Sequence, residues 1–284
     1  VWALVAQYLT NTTVDTIVLA VTIRWKPELK FSGKSLKALF SYGWKILIAS
    51  IIGELYNELR TIIIGKLYTS NDLAFFDKGK QLPHIIVTNI NTTISSVLFP
   101  AISNAQNNIN DVKNMMRRSI KTSAYIMCPL MFGLAVVAEP VISLLLTDKW
   151  LPCVPYLQIY CITYCFEPIQ TANLQAIRAL GRSDIILKLE IIKKGSSLLI
   201  LFAVMNFGVN AIACSLFATT LIAAISNTMP NKKLINYSYR ELAVDMSAGL
   251  LISGIMAVVV YLLGMVLKTN TLVTLIRNFT LFKF

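Results

Sequence analysis

Eight long apolar runs separated by connections of alternating charge constrain this chain more than any single residue does. The runs cover about 1–23, 40–65, 83–105, 120–138, 153–177, 186–207, 209–229 and 243–267. A helix crosses the hydrocarbon of a bilayer with roughly 20 predominantly apolar residues, so each run is a candidate span. The first connection is strongly basic, with Arg24, Lys26, Lys30, Lys34, Lys37 and Lys45 against Glu28. The third, fifth and seventh are basic as well, whereas the second and fourth are close to balanced and the sixth, NFGVN, is uncharged. The basic set holds eighteen lysines and arginines against four in the other three. Positive charge marks the cytoplasmic side, so the first span runs from outside to inside and the second from inside to outside. A miscounted span would break this alternation.

Composition agrees. Of 284 residues, 56% are hydrophobic and 14% charged, with a mean hydropathy of +0.65, whereas a soluble domain carries about 25% charged residues. The fold class expected is all-α, a polytopic membrane helix bundle of about eight transmembrane helices. A net charge of +12 would suit nucleic acid if it covered one folded face. Here it lies between spans, so no nucleic-acid partner follows. The chain opens inside an apolar segment, without an initiator Met, a charged n-region or a cleavage site, and reads as lacking an N-terminal part. Residues 24–39 read as a cytoplasmic amphipathic linker on the membrane surface. The tail, 268–284, reads as a frayed end or the start of a further span.

Catalytic and metal chemistry find little support. Cys128, Cys153, Cys161, Cys165 and Cys214 form no C-x-x-C pair and read as small buried residues. His84 follows Pro83 at the start of a span and suits an interfacial position. Walker, G-x-S-x-G and H-E-x-x-H motifs do not occur. The chain therefore reads as a non-enzyme with no cofactor and no metal.

Polar residues inside the spans are the informative exceptions. An ionised side chain at a helix centre costs about 2.5–3.5 kcal/mol on insertion scales, so such residues face a bundle interior or a water-filled cavity. In the second span Ser50, Glu54, Asn57, Glu58 and Thr61 share one face at 100° per residue, with Arg60 beside Asn57. Either they line a cavity, or Glu54, Glu58 and Arg60 form a static ion pair. The first span carries Gln7, Asn11, Asp15 and Thr22 on one face. The third carries Asn89, Asn91, Thr92, Thr93, Ser95 and Ser96, which line a cavity or bond neighbouring helices. In the fifth, Tyr160, Thr163, Tyr164, Glu167, Gln170 and Thr171 cluster, and Pro168 predicts a kink beside Glu167. Gly181 reads as a helix stop and Ser183 or Asp184 as the next N-cap. Lys188, Glu190, Lys193 and Lys194 at the start of the sixth span either snorkel to headgroups or form a cationic patch for an anionic lipid head.

Several stretches resemble the polysaccharide-biosynthesis, or Wzx-type, flippases of the multidrug/oligosaccharidyl-lipid/polysaccharide exporter superfamily. They are VWALVAQYLTN, RWKPELKFS, ELYNELRTIIIGKLYTSNDLAFFDKGKQLP, the run from SSVLFPAISNAQ through VVAEPVISLLLTDKW, and ANLQAIRALGRSDIILKLEIIKK. The resemblance implies two six-helix lobes around a cavity that opens alternately to either side. Residues 1–23 would be the last helix of the N-terminal lobe and 40–267 the C-terminal lobe bundle, with five further helices upstream. Members carry an acid shortly before the I-I-G-K segment, where this chain has Arg60, with Glu54 and Glu58 upstream.

The function implied is translocation of an undecaprenyl-pyrophosphate-linked oligosaccharide, a repeat unit of lipopolysaccharide, capsule or exopolysaccharide, across a bacterial cytoplasmic (inner) membrane. Arg60, Lys193 and Lys194 would hold pyrophosphate, and Asn57, Gln170, Tyr160 and Tyr164 would meet sugars. Asp15, Glu54, Glu58 and Glu167 would couple transport to H⁺ or Na⁺. Membrane lipids, a glycan polymerase and other assembly proteins are the partners implied. A drug/cation antiporter of the same superfamily and a non-transporting scaffold for glycan assembly are the alternatives.

Overall fold

The computed structural model describes residues 2–23 and 32–266, without the side chains of a few, Asn57 among them. All regular structure among the described residues is helical. The elements are α1 (Trp2–Ile23), α2 (Gly33–Leu67), α3 (Ser70–Asn104), α4 (Ile109–Val136), α5 (Ala138–Leu146), a 3-10 turn (Asp148–Cys153), α6 (Val154–Tyr164), α7 (Glu167–Ala179), α8 (Ser183–Val204), α9 (Val209–Leu234) and α10 (Tyr239–Val266). Five of them, α2, α3, α4, α9 and α10, are long and apolar enough to cross a membrane. The protein is a polytopic helical membrane protein.

The chain divides into two compact units, Val1–Phe40 and Ser41–Phe284. In the first, the hydroxyls of Thr10, Thr12, Thr13 and Thr16 donate to carbonyls one turn back on α1 at 2.7–2.9 Å. Each satisfies its own polar group, as a helix facing apolar surroundings requires. The amphipathic stretch expected at 24–39 lies partly outside the described residues. Its remainder, from Gly33, continues as the first turns of α2.

Within the second unit α3 is the spine, packed against α4, α6 and α7. It begins thirteen residues before the expected start at 83, because Thr69 and Asp72 form a capping box that satisfies the first orphan N–H groups. Pro83 is therefore internal to the helix and buried. A Cβ on Gly79 would fall 2.7 Å from Tyr156 Cβ and 2.9 Å from the Cys153 carbonyl oxygen. Only glycine lets α3 approach α6 this closely.

The expected kink in the fifth span is a full break. Cys165 and Phe166 leave the α pattern, α6 ends at Tyr164, and α7 restarts at Glu167 with Pro168 in its first turn. Proline has no N–H to satisfy there and its fixed φ suits a first turn. Two pieces of 11 and 13 residues replace one span, each too short to cross alone. The helix stop at Gly181 is present, with φ +72°. The N-cap is Arg182 rather than Ser183 or Asp184, because Asp184 is engaged by the Arg182 guanidinium through two 3.0 Å bonds.

Contacts sort the connections into two ends. Lys113 donates to the Asn236 carbonyl at 2.8 Å, joining the third and seventh, and Tyr42 donates to the Arg178 carbonyl at 3.3 Å, joining the start of the second span to the fifth. At the opposite end Tyr68 donates to the Met205 carbonyl at 2.6 Å and accepts from Gly208 N–H at 2.8 Å. There too Phe75 meets Trp150 edge-on at 5.9 Å. Within the second unit the third, fifth and seventh connections thus gather at one end and the second, fourth and sixth at the opposite end, as the charge alternation requires.

The core follows α4, where Met116, Ile120, Met127 and Met131 are fully buried. In lipid the drive for helix association is close packing and interhelical hydrogen bonding rather than exclusion of water. Gly249 of α10 approaches Ala124 of α4 in keeping with this, a Cβ there falling 3.2 Å from the Ala124 backbone. Gly254 and Gly264 make no comparable approach.

Candidate functional site

Arg60 lies two turns before the end of α2, just before the apolar Ile62–Ile64, and is only 4% exposed. Its Nη2 donates to Tyr56 Oη at 2.7 Å, and its Nε and Nη1 are buried without a protein partner. Among the described residues no ion pair joins it to Glu54 or Glu58, and both acids are exposed on α2. Arg60 instead belongs to the lining of a cavity of about 190 Å³ built by α2, α3, α6, α7, α8 and α9.

This chamber is cationic and aromatic. Lys193 and Lys194 enter from α8 and Lys80 from α3, against Asp77 and Glu167. Lys194 Nζ stands 4.6 Å from the centre of the Tyr56 ring, and the Arg60 guanidinium sits at the hydroxyl edge of the same ring, its Cζ 5.6 Å from the centre. Lys193, buried, donates to Glu190 one turn back. Behind them runs an aromatic ladder, Tyr156 to Phe76 to Tyr160 to Tyr164, with ring centres 5.5–5.7 Å apart.

A second chamber of about 1090 Å³ shares Lys80, Tyr164, Glu167, Gln170, Lys193 and Lys194 with the first and extends to Tyr42 and Arg178 at the basic end. Its α3 wall carries Thr88, Asn91, Thr92, Ser95 and Ser96, and its α7 and α9 walls carry Thr171, Gln175 and Asn227. The third span therefore lines a cavity with part of its polar face. Asn89 and Thr93 instead bond carbonyls one turn back on their own helix.

Of the residues singled out in the sequence, Arg60, Tyr160, Tyr164, Glu167, Gln170, Lys193 and Lys194 come together around the first chamber. Glu54 and Glu58 line neither chamber. Asp15 is exposed on α1, in the other compact unit. The side chain of Asn57 lies outside the described residues. Lys193 and Lys194 point into the chambers rather than outward, so headgroup snorkelling does not describe them. His84 lines the second chamber, its ring 6.2 Å from Tyr164. Residues not singled out for the site are Tyr56, Asp77, Lys80 and Arg178. Tyr56 was legible as the i−4 neighbour of Arg60, whereas Lys80 sat in a stretch that reads as a connection by charge.

Glu167 sits where the broken span restarts, and Gln170 Nε2 reaches its carboxylate at 3.4 Å. A carboxylate at a discontinuity, in one chamber with Arg60, Lys80, Lys193 and Lys194, offsets part of their positive charge. The arrangement suits a ligand with a compact anionic part and a larger polar part. Groups of three or more His, Cys, Asp or Glu able to hold a metal are not found among the described residues.

The solved structure of a lipid II flippase, MurJ, in an inward closed conformation, superposes with a TM-score of 0.63 over 87% of this chain and 57% of its own, at 14% identity. The lipopolysaccharide biosynthesis protein WzxC of Escherichia coli is 25% identical over 92% of this chain and 54% of its own length. The teichuronic acid biosynthesis protein TuaB of Bacillus subtilis is 25% identical over 57% of this chain and 34% of its own. The chain thus spans about half the length of WzxC and a third of that of TuaB. A family model described as polysaccharide biosynthesis protein matches residues 1–155. Matched over more than half of its residues, the chain belongs to the polysaccharide biosynthesis protein family.

Proposed function

We propose that this chain forms part of a flippase that carries an undecaprenyl-pyrophosphate-linked oligosaccharide from the inner to the outer leaflet of a bacterial cytoplasmic membrane. The observation that carries the reading is Arg60: a permanently charged side chain, 4% exposed, with two buried N–H groups unpartnered, in the lining of a chamber that also holds Lys80, Lys193 and Lys194. An uncompensated buried guanidinium is costly, and a pyrophosphate accepting its N–H groups removes that cost. The polyprenyl tail stays in lipid while the hydrated head crosses through the chambers. Residues 1–23 are assigned to the end of an N-terminal lobe and 40–267 to a C-terminal lobe. Glu167 is the acid assigned to H⁺ or Na⁺ coupling, because it is the one among Asp15, Glu54, Glu58 and Glu167 that lines both chambers. A cationic cavity disfavours a cationic drug as cargo. Assembly proteins such as a glycan polymerase are the partners such an export step would feed.

The test is binding of undecaprenyl pyrophosphate to purified protein in nanodiscs. Arg60→Ala should weaken it by about ten- to a hundredfold, as loss of charged hydrogen bonds predicts, with the yield of folded protein preserved. Unchanged affinity in Arg60→Ala removes the anion site and with it this reading.

A further inference from the structure

The chain has one histidine, His84. Its place after Pro83 suits an interfacial position, but α3 begins at Ser70, so His84 lies roughly four turns inside the helix. It is exposed and lines the second, larger chamber, its ring 6.2 Å from that of Tyr164, which belongs to both chambers. Lys80, one turn earlier on α3, lines both as well. The other charges bordering the larger chamber are Glu167 and Arg178 from α7 and Glu190, Lys193 and Lys194 from α8. Asp77, two turns before His84, and Arg60 of α2 line the first chamber. To the larger one α2 and α6 add the phenols of Tyr42 and Tyr164 and α9 the uncharged Asn227, while α4 and the 3-10 turn line neither. Four cations thus meet two carboxylates there before His84 is counted. Imidazole is the side chain whose ordinary change of charge falls between about pH 5 and about pH 8.

We infer that His84 is a titrating member of the anion site: protonated, it adds a fifth cation to the larger chamber and tightens its hold on a pyrophosphate, and neutral, it loosens that hold. The inference rests on the proposed function and gives that site a dependence on pH. A further positive charge is repelled by the cations around it, and an anion in the chamber offsets that repulsion. Proton and anion therefore reinforce each other, and by linkage each raises the other's affinity by the same factor. Protonation also turns the ring from one N–H donor and one acceptor into two donors, which is the pairing that phosphate oxygens accept. Direct contact is not required, because charge acts over about 8–10 Å at physiological salt. Lysine and arginine cannot supply this response, since they stay charged across the same range, and ordinary carboxylates complete their titration below it.

The experiment measures the affinity of the purified chain in nanodiscs for undecaprenyl-pyrophosphoryl N-acetylglucosamine, a diester that lacks the ionisation a phosphate monoester shows at about pH 6. Between about pH 8 and about pH 5.5 affinity should rise about three- to tenfold, the worth of one unit charge acting across a partly screened chamber. His84→Gln should remove the rise, and His84→Lys should show the acid-end affinity throughout. With a single histidine, isotope-labelled imidazole gives one NMR signal in the unsubstituted protein, and its titration midpoint should move up when the lipid binds. The inference is overturned if the lipid binds equally at both ends of the range, if the midpoint stays where it is, or if the rise survives in His84→Gln, as it would were Glu167 the titrating group. A chain that binds the lipid at no pH overturns the flippase reading and this inference together.

Discussion

Arg60 Nη2 donates to Tyr56 Oη at 2.7 Å, one turn back on α2, and the ring of that tyrosine carries Lys194 Nζ at 4.6 Å. One side chain therefore fixes two cations that belong to different helices. Tyr56→Phe keeps the ring and removes the acceptor, freeing the guanidinium to swing. Affinity for undecaprenyl pyrophosphate should fall by about three- to tenfold, the worth of one ordinary hydrogen bond. Tyr56→Leu should cost more, since Lys194 also loses its aromatic face, worth about 0.5–2 kcal/mol depending on exposure. Binding measured on both variants checks the order. Equal losses would mean that the hydroxyl alone positions the site.

Glu167 places a carboxylate in the chamber proposed to take the pyrophosphate. Unit charges about 4 Å apart interact by about 1–4 kcal/mol between bulk water and a partly screened protein site. Glu167→Gln should therefore tighten binding of the pyrophosphate lipid severalfold while slowing its translocation, because the charge that helps expel the anion is lost. Proteoliposomes with a fluorescent lipid analogue measure translocation, and nanodiscs measure binding. Weaker binding in Glu167→Gln would contradict this role. Glu54→Gln and Glu58→Gln alter exposed carboxylates outside both chambers and should change binding by no more than about twofold, as screened surface charges do.

The parts of this site legible from sequence are those whose signal is local. Arg60 stands out because it is charged and sits among the few polar residues of an otherwise apolar span, and the break at Glu167 because proline removes a backbone donor. The two-ended arrangement was legible because charge alternation is a property of the connections, whatever their packing. Lys80, Asn91, Arg178 and Asn227 gave no comparable signal. Each sits among other polar residues at a helix end or on a mixed face, and only the packing of α3 against α7 and of α7 against α9 brings them to one chamber. The start of α3 was legible in principle, Thr69 and Asp72 having capping-box spacing. It was obscured because the charged residues Asp72, Asp77, Lys78 and Lys80 make its first turns read as a connection.

Gly79 tests whether the position of α3 matters to the chambers. Its missing Cβ lies where Tyr156 Cβ and two backbone atoms would be under 3.0 Å away, and Asp77 and Lys80, its near neighbours, line the first chamber. Gly79→Ala should push α3 from α6 and destabilise the protein by about 1–3 kcal/mol, the range for an overpacked contact. Gly254→Ala, on an open stretch of α10, should be neutral or slightly stabilising, because alanine is the better helix former. Thermal unfolding in detergent compares the two. A Gly79→Ala protein as stable as the wild type would show that the helices separate at no cost.

Asp245 is the other place where a charge is held inside the bundle. Its side chain is fully buried and accepts from Arg117 Nε and Nη2 at 2.8 Å each and from Tyr237 Oη at 3.1 Å, with Lys121 Nζ at 3.3 Å. Glu241, one turn earlier, pairs with Lys113 at 2.8 Å. These bonds clamp α10 to α4 at the basic end. Removing one partner of a buried pair costs about 3–5 kcal/mol because the other charge is left behind, and Arg117, 28% exposed, brings the expectation to the lower end of that range. Asp245→Leu should lower the unfolding midpoint sharply. Arg117→Met with Asp245→Leu should recover much of the loss, since two apolar groups in lipid need no partner. The double-mutant cycle isolates the coupling. Additive losses would mean that α10 is held by the packing at Gly249 and that the ion pairs add nothing beyond their own desolvation.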